Sequence, residues 1–401
     1  MVPLALIENL SEQTPSKILF LVLDGLGGMP HPEVGKSELE GARIPNLDRF
    51  ARLSICGVTD PIAPGITPGS GPSHLALFGY NPIRFDIGRG VLSALGIDFP
   101  IGPNDVCFRA NFATVDADGN ITDRRAGRLA TEINRELCAL LRHIHMPEVE
   151  IFVETESGHR ALVVFRGEGL SDFVSDTDPQ HTGVPPNSSA PTQEEAVPMA
   201  QIVNTFLAEA AMVLQGQEPA NALLLRGAAS LPDIPTMPQV YKLSPAAIAT
   251  YPMYRGLAKL VGMEVLDTGD SIWDEFETLQ QNWEEYDFFY FHVKATDTAG
   301  EDGDFNRKVQ VLEEIDSLIP ALLRLQPDVF VITGDHSSPS ALSGHSWHPV
   351  PFALYSNTCI SDDISEFTER ALVRGSLGRF PAQDAMQLAM GHAQKLAKYG
   401  A

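Results

Sequence analysis

The chain has 401 residues, more than a single hydrophobic core usually holds, so we expect one large domain with an insertion, or two domains. Its 28 basic and 52 acidic residues give a formal net charge of −24, which disfavours nucleic acid and anionic membrane surfaces as partners. The four cysteines form no CxxC pair, and no run approaches the roughly 20 apolar residues of a membrane-spanning helix, so we expect a soluble, cytoplasmic protein without a thiolate zinc site.

The first predicted strand lies within KILFLVLDGLGG, residues 17–28, and ends at an aspartate followed by glycines. Two later apolar runs, at 286–297 and 329–335, also end in an aspartate. Apolar residues at helical spacing predict helices at 197–214 and 305–325. Strands alternating with helices predict an α/β protein with a mostly parallel sheet flanked by helices. In such sheets, ligands bind at the carboxyl ends of the strands.

A glycine- and proline-rich loop, GITPGSGPSHLALFGYNP at residues 65–82, changes into an apolar helical pattern at Leu75. A proline such as Pro72 is tolerated in the first turn of a helix. Ser70 therefore falls near a helix N-terminus, where free amides and the helix dipole favour a phosphoryl group. A hydroxyl placed there can be a metal-activated nucleophile. The alternative is that Ser70 or Ser73 only caps the helix.

The middle of the chain differs in character and predicts a smaller inserted α+β domain. Alternating apolar residues and an Asp-Gly pair indicate short, partly antiparallel strands around a helix at Thr131–Leu141. The Pro-, Ser- and Thr-rich segment 175–193 is expected to be a loop that returns to the core. The apolar run NALLLRG at 221–227 is then expected to be a further strand of the core. The predicted boundaries are 1–104 and 190–401 for the core and 105–189 for the insert.

Two carboxylates follow the strand within 286–297. Asp297 and Glu301 are four residues apart, so one helical turn would aim both side chains at the same point. Carboxylates withdrawn from water need a cation or a basic neighbour. The alternative is a solvated acidic turn that also contains Asp302 and Asp304.

The last of the three apolar strands stops at Asp335 and His336, and His345 follows nine residues later. Carboxylate and imidazole groups are ligands for divalent metals. The alternative is that Asp335 caps a turn and His336 packs against a neighbour. The candidate metal ligands of the whole chain are Asp24, Ser70, Asp297, Glu301, Asp335, His336 and His345. Two divalent ions sharing them could flank one phosphoryl group and lower the pKa of the serine hydroxyl.

With these motifs in this order, the chain resembles the archaeal-type 2,3-bisphosphoglycerate-independent phosphoglycerate mutases of the alkaline phosphatase superfamily, over essentially its whole length. The segments that carry the resemblance are LVLDGLGG with Asp24, TPGSGPSHLALFGYNP with Ser70, GRGVLSALG at 88–96, FRANFATVD at 108–116, DRRAGR at 123–128, VVFRGEGLSD at 163–172, YPMYRGLAKLVGM at 251–263, HVKATD with Asp297, and GDHSS with His345 downstream. The resemblance implies an alkaline-phosphatase-like fold.

The resemblance also implies a reaction and its ligands. Ser70 would be phosphorylated in a covalent intermediate while 2-phosphoglycerate and 3-phosphoglycerate are interconverted, without 2,3-bisphosphoglycerate. Two divalent metals would take part, with manganese or magnesium expected and zinc or cobalt as alternatives. The implied ligand sets are Asp24, Ser70, Asp335 and His336 for one metal, and Asp297, position 301 and His345 for the other.

Glu301 departs from the family pattern, which commonly has histidine at this position. Glutamate adds a negative charge and a harder oxygen donor, which should favour Mn²⁺ or Mg²⁺. We therefore expect retained catalysis with an altered metal preference.

The substrate, a phosphorylated carboxylate, needs local cations in so acidic a protein. The candidates in the predicted insert are Arg124, Arg125, Arg128 and His159, and those in the predicted core are Lys294 and Arg255. The insert is expected to act as a substrate-binding lid that excludes water. The oligomeric state stays open.

The sequence is also compatible with two alternative functions. A metal-dependent phosphatase or phosphonate hydrolase would use the same metal centre and release inorganic phosphate. A metal-binding regulatory protein that has lost catalysis is the other, and Glu301 is the residue that motivates it.

Overall fold

The structure is a computed structural model that describes residues 2–85 and 87–400. Its strands in chain order are β1 (Ile18–Leu23), β2 (Ile55–Asp60), β3 (Asp105–Val115), β4 (Ile121–Asp123), β5 (Glu150–Ser157), β6 (Arg160–Arg166), β7 (Ala222–Ala229), β8 (Pro245–Ile248), β9 (Glu264–Val265), β10 (Phe288–Val293), β11 (Val329–Thr333), β12 (Val350–Ser356) and β13 (Gly378–Pro381).

The α-helices are α1 (Leu4–Leu10), α2 (Glu38–Gly41), α3 (Pro45–Leu53), α4 (Ser70–Leu77), α5 (Arg89–Gly96), α6 (Thr131–Leu141), α7 (Val197–Val213), α8 (Met237–Tyr241), α9 (Pro252–Leu260), α10 (Ile272–Gln281), α11 (Ala295–Glu301), α12 (Phe305–Arg324), α13 (Glu369–Leu372) and α14 (Asp384–His392). Short 3₁₀ turns cover Ala126–Arg128, Glu194–Ala196 and Ser340–Leu342.

The described residues divide into two compact units. The core unit contains residues 1–86 and 234–401, and the insert unit contains residues 87–233. The insert unit is therefore wider than the predicted segment 105–189 at both ends.

The core unit is built on a sheet with the strand order β13-β2-β12-β11-β1-β10-β8-β9. β12 is antiparallel to both of its neighbours, and the other pairs are parallel. β1 lies between β10 and β11, with Phe20 in register with Tyr290 and Val331. Every residue of these three strands is buried, which explains their uninterrupted apolar sequences. The predicted α/β fold with a mostly parallel sheet is confirmed.

This strand order determines where the polar residues lie. Because β1, β10 and β11 are parallel neighbours, the segments that follow them leave the same edge of the sheet. These segments begin at Asp24, Lys294 and Gly334. The three aspartates that end the apolar runs therefore belong to one edge.

The insert unit has its own sheet, with the strand order β4-β3-β6-β5 and β7 paired with the other side of β3. These four pairings are all antiparallel, whereas the alternation and the Asp-Gly turn predicted partly antiparallel strands. α6 and α7 bury apolar residues in one core with the sheet, including Leu137, Val203 and Phe206.

The prediction that residues 221–227 form a core strand is wrong. β7 pairs antiparallel with β3, with Leu223 opposite Phe112. A strand covered on both faces has a continuous apolar sequence in a parallel or an antiparallel sheet. The sequence pattern therefore could not assign β7 to the sheet of the core unit or to that of the insert unit.

The segment Glu194–Val213 is long and apolar enough to cross a membrane by length and composition, which we did not expect from the sequence. In the structure, α7 packs Met199, Val203 and Phe206 into the core of the insert unit. Core helices of this kind pass the same test, so the segment is weak support for a membrane span.

A buried carboxyl group on α10 gives the stability of the core unit a testable pH dependence. Glu275 is 3% exposed, and burial together with the charge of Asp274 raises its pKa from the ordinary 4.5 to about 8. Between pH 4.5 and about 8, Glu275 is therefore protonated in the folded chain and ionised in the unfolded chain. Stability contributed by this group is present below pH 4.5 and is lost as the pH rises through 8.

We predict that Glu275→Gln removes this loss. The unfolding temperature of the variant minus that of the wild type should be about 4 °C larger at pH 9 than at pH 5.5. This corresponds to a difference in the free energy of unfolding on the order of 2 kcal/mol. Thermal unfolding at both pH values measures this. Glu277→Gln, an exposed change on the same helix, is the control. An equal effect of Glu275→Gln at both pH values would contradict the prediction.

Candidate metal centre

Asp24 is the first residue after β1 and is fully buried. Its Oδ2 lies 3.0 Å from Lys294 Nζ and 3.4 Å from His292 Nε2, and its Oδ1 lies 3.3 Å from His336 Nε2. These contacts are close but not aligned as hydrogen bonds, and neither oxygen has a hydrogen-bond partner among the described residues. Burial would raise the pKa of Asp24, yet His292, His336 and Lys294 hold it well below its usual range. Asp24 is thus an anion with free lone pairs.

Asp335 and His336 follow β11 on the adjacent strand and are fully buried. The amide of Gly25 donates to Asp335 Oδ1 at 3.1 Å. Asp335 Oδ2 lies 3.2 Å from His336 Nε2 but has no hydrogen-bond partner in the described part of the chain. Ligand atoms of Asp24, Asp335 and His336 all lie within 4.8 Å of one another, which is a suitable spacing around one metal ion.

Ser70 is the first residue of α4, and its Oγ lies 3.2 Å from His336 Nε2. The N-cap of α4 is Gly69, so Ser70 does not cap the helix, and Ser73 donates to Gly69 O at 2.9 Å. The capping alternative is therefore wrong for both serines. His74 donates from Nδ1 to Ser70 O at 2.8 Å, which fixes the first turn of the helix. The structure thus places the Ser70 hydroxyl beside the first ligand group.

A second group contains Asp297, His336 and His345, whose ligand atoms also lie within 4.8 Å of one another. Asp297, on α11, has its Oδ1 3.9 Å from both His336 Nε2 and His345 Nε2. Glu301 extends beyond this group: its side chain is 52% exposed and its Oε1 lies 3.6 Å from His345 Nε2. His336 belongs to both groups, whereas the resemblance assigned it to one.

Hydrogen bonds behind the two histidines orient their metal-facing nitrogens. Ser338 Oγ donates to Asp297 Oδ1 and can accept from His336 Nδ1, 3.2 Å away. His345 Nδ1 lies 3.0 Å from Pro68 O, which can only accept. With a metal bound, each ring would keep its proton on Nδ1 and present the lone pair of Nε2 to the ion.

The electrostatic field of the site favours a cation. Burial would lower the pKa of His336, but Asp335 and Asp24 raise it to about 9. Burial and the charge of Asp24 raise the pKa of Asp335 to about 6. Free carboxylate oxygens, imidazole nitrogens and a hydroxyl form a donor set that fits divalent metals such as Mn²⁺, Mg²⁺ or Zn²⁺.

Sequence reasoning missed a buried aromatic layer that contacts these ligands. Tyr254 lies on His292 with ring centroids 4.0 Å apart and on His74 at 4.7 Å, and Tyr290 contacts both histidines edge-on or tilted at 5.6 Å. Burial lowers the pKa of His74 to about 4, so this ring is neutral at pH 7. His292 could have been found from the sequence, because it lies two residues before Lys294 in the motif HVKATD.

Among the predicted substrate-binding residues of the core unit, Lys294 lies between the two groups of candidate metal ligands. Its Nζ is 2.5 Å from Asp297 Oδ2 and 3.0 Å from Asp24 Oδ2, so it joins the two ligand groups. Asp24 and Asp297 raise its pKa although burial would lower it. Arg255 follows Tyr254 on α9, and its Nη2 lies 3.4 Å from Asp267 Oδ1.

In the insert unit, Arg124 is already occupied. Its Nε and Nη2 donate to both oxygens of Asp178 at 2.8 and 2.7 Å, and its Nη1 donates to Gln180 O at 2.9 Å. A substrate role would require these bonds to be exchanged. Arg125 and Arg128 are exposed.

His159 stands in a basic environment in the same unit. Burial lowers the pKa of His159 to about 4, with further contributions from Arg160, Arg125 and Arg109. Arg89 likewise has its pKa lowered by burial and by Arg226 and Arg160, although Asp176 opposes this. The arginines whose charges act on His159 are Arg109, Arg125 and Arg160, and those whose charges act on Arg89 are Arg160 and Arg226. Sequence reasoning named only Arg125 among them, because the others come from separate strands and a helix.

Comparison with known proteins identifies close relatives of this chain. A family model described as 2,3-bisphosphoglycerate-independent phosphoglycerate mutase matches residues 51–221. A probable 2,3-bisphosphoglycerate-independent phosphoglycerate mutase of Thermus thermophilus is 51% identical over 400 residues, covering 98% of each chain. A protein of the same description from Thermotoga maritima is 49% identical over 397 residues, again covering 98% of each chain.

Solved structures agree with these sequence matches. The cofactor-independent phosphoglycerate mutase of Thermoplasma acidophilum has a TM-score of 0.73 and 32% identity, covering 94% of this chain and all of its own. A protein from Pyrococcus horikoshii has a TM-score of 0.83 and 28% identity, covering 97% of this chain and all of its own. With half of all positions identical over nearly the whole length, this chain belongs to the family of 2,3-bisphosphoglycerate-independent phosphoglycerate mutases.

Proposed function

We propose that this protein interconverts 2-phosphoglycerate and 3-phosphoglycerate through a phosphoserine at Ser70, without 2,3-bisphosphoglycerate. The observation that carries the proposal is the position of the Ser70 hydroxyl, which starts α4 and lies 3.2 Å from His336 Nε2. A phosphoryl group bound there meets the free amides of the first helical turn.

Two divalent metals are proposed to bind beside Ser70. They would neutralise the phosphoryl oxygens and lower the pKa of the serine hydroxyl. Manganese or magnesium is proposed because carboxylate oxygens dominate the donor set. The proposed ligands are Asp24, Ser70, Asp335 and His336 for one ion, and Asp297, Glu301 and His345 for the other.

Ser70 and Lys294 have separate proposed roles in the transfer of the phosphoryl group. Ser70 Oγ forms a bond to phosphorus as the bond from phosphorus to the substrate oxygen breaks. The glycerate then reorients, and its other hydroxyl takes the phosphoryl group back, which restores Ser70. Lys294 is proposed to hold the phosphoryl group, because its ammonium lies between Asp24 and Asp297.

The carboxylate of the substrate is proposed to bind the arginines of the insert unit. Arg125 and Arg160 are charged neighbours of His159, which burial keeps neutral at pH 7. Guanidinium groups bind carboxylates in a planar, two-bond geometry, which suits glycerate. We also propose a cytoplasmic location, which agrees with the free thiols of Cys56, Cys107, Cys138 and Cys359.

Ser70→Ala tests the proposed function. Conversion of 3-phosphoglycerate to phosphoenolpyruvate, measured with added enolase, should fall by at least about 10⁴-fold, because the nucleophile is lost. Rapid acid quenching of the wild type with substrate should leave phosphate on Ser70. Ser73→Ala, which removes a hydroxyl one helical turn away, is the control. Undiminished activity of Ser70→Ala refutes Ser70 as the nucleophile.

The same assay on the wild type separates the two alternative functions. Release of inorganic phosphate without an isomerised product would indicate a phosphatase. Formation of neither product would indicate a protein without catalysis.

Glu301→His tests the proposed metal preference. The change replaces an anionic oxygen donor, which lies 3.6 Å from His345 Nε2, by a nitrogen donor. The ratio of the Mn²⁺ concentration to the Zn²⁺ or Co²⁺ concentration that half-saturates activity should therefore rise by roughly ten-fold. Activity is measured over a concentration series of each metal. Asp302→His, at an exposed residue that pairs with Arg307, is the control. Identical preference in the wild type and Glu301→His would contradict this role.

Arg125→Gln and Arg160→Gln test the proposed carboxylate site. Each should raise KM for 3-phosphoglycerate by roughly ten-fold or more, because a charged hydrogen bond contributes about 1.5–3 kcal/mol. Arg135→Gln, on the exposed side of α6, controls for the loss of positive charge. Steady-state kinetics that show an unchanged KM for both variants would rule out the site.

A further inference from the structure

Lys308, in the first turn of α12, is a lysine with no exposed surface. Its ammonium donates to Gly25 O and Ser338 O, each at 2.8 Å, and to Gly27 O at 3.4 Å. The three donors of the ammonium thus meet three backbone carbonyls rather than carboxylates. Buried lysines are rare unless they are paired, so this arrangement calls for a physical reason.

The carbonyls belong to two loops that carry proposed metal ligands. Gly25 follows Asp24 directly, and Ser338 is two residues beyond His336. The amide of Ser338 also donates to Gly25 O at 3.2 Å and to Gly27 O at 3.1 Å. Lys308 therefore holds the loop after β1 against the loop after β11.

The backbone around these carbonyls is closely packed. Gly25 has φ 65°, and a Cβ there would lie 2.7 Å from Asp297 Oδ1. On α11, a Cβ at Gly300 would lie 2.2 Å from Ser338 O. Backbone packs closely here, so the converging carbonyl oxygens are shielded from water; Gly25 O and Gly27 O share the amide of Ser338, and Lys308 supplies further donors to them and to Ser338 O.

Resting on the metal centre proposed above, we propose that Lys308 is a positioning residue for it. Its ammonium is a resident cation that draws three carbonyl dipoles together and so fixes the distance between Asp24 and His336. Ser338 extends the effect to the second group, because its hydroxyl donates to Asp297. Without the ammonium, like-oriented dipoles repel one another, the loops separate, and the ligand atoms lose the spacing that a metal requires.

Metal binding by Lys308→Ala tests this role. Free Mn²⁺ is measured by its electron paramagnetic resonance signal during titration of the protein, so the result does not depend on turnover. The variant should bind Mn²⁺ roughly 10- to 100-fold more weakly than the wild type. Propylammonium has the atoms that the substitution removes, and adding it should restore affinity towards the wild-type value. An unchanged Mn²⁺ affinity in Lys308→Ala overturns the proposal.

Lys395 provides a matched control. It is also without exposed surface, and its Nζ donates to Thr14 O at 2.7 Å and to Asp287 Oδ2 at 3.0 Å, at the opposite end of β10 from the metal centre. Lys395→Ala should lower the unfolding temperature and leave Mn²⁺ affinity unchanged. An equal loss of Mn²⁺ affinity in Lys395→Ala would show a general effect of destabilisation and overturn the proposal.

A second substitution covers the case in which Lys308→Ala does not fold. Lys308→Met keeps the length of the side chain without its charge, and wild-type Mn²⁺ affinity in this variant also overturns the proposal. If the wild type itself binds no Mn²⁺, the metal centre of the proposed function fails, which is distinct from the failure of Lys308 alone.

Discussion

Buried negative charge at the carboxyl edge of the large sheet is the constraint to which the rest of the core unit responds. Asp24, Asp297 and Asp335 are each withdrawn from water, and an isolated buried carboxylate is strongly unfavourable. Lys294 lies directly between two of them, and the pKa of His336 rises in their field. Asp24 and Asp335 still have carboxylate oxygens without a hydrogen-bond partner among the described residues, and a bound divalent cation would be coordinated by these oxygens.

The sheet produces this concentration of charge through the order of its strands. β1 lies between β10 and β11, all three are parallel, and a charged residue follows each strand within two positions. The carboxylates are thus held by buried strands and short connections rather than by long loops, which keeps their spacing well defined. Ser70 is added from α4, and the hydrogen bond from His74 to its carbonyl fixes that turn.

Much of this could be predicted from the sequence because the signals are local. Continuous apolar runs ending in aspartate predicted the parallel strands and the shared edge, and the order of motifs predicted the family. Interactions between distant residues could not be predicted. Arg124 pairs with Asp178, which is 54 residues away and lies in the segment 175–193, predicted from its composition to be a loop. Lys308 contacts backbone carbonyls, which have no side-chain pattern, and β7 has an apolar sequence that suits either sheet.

The central proposal for this protein is a pair of cation sites that flank Ser70. Anomalous diffraction from crystals grown with Mn²⁺ tests it directly. We predict two peaks, one bounded by Asp24, Asp335 and His336 and the other by Asp297 and His345, both close to Ser70 Oγ. A single peak, or peaks outside these ligand groups, would contradict the account.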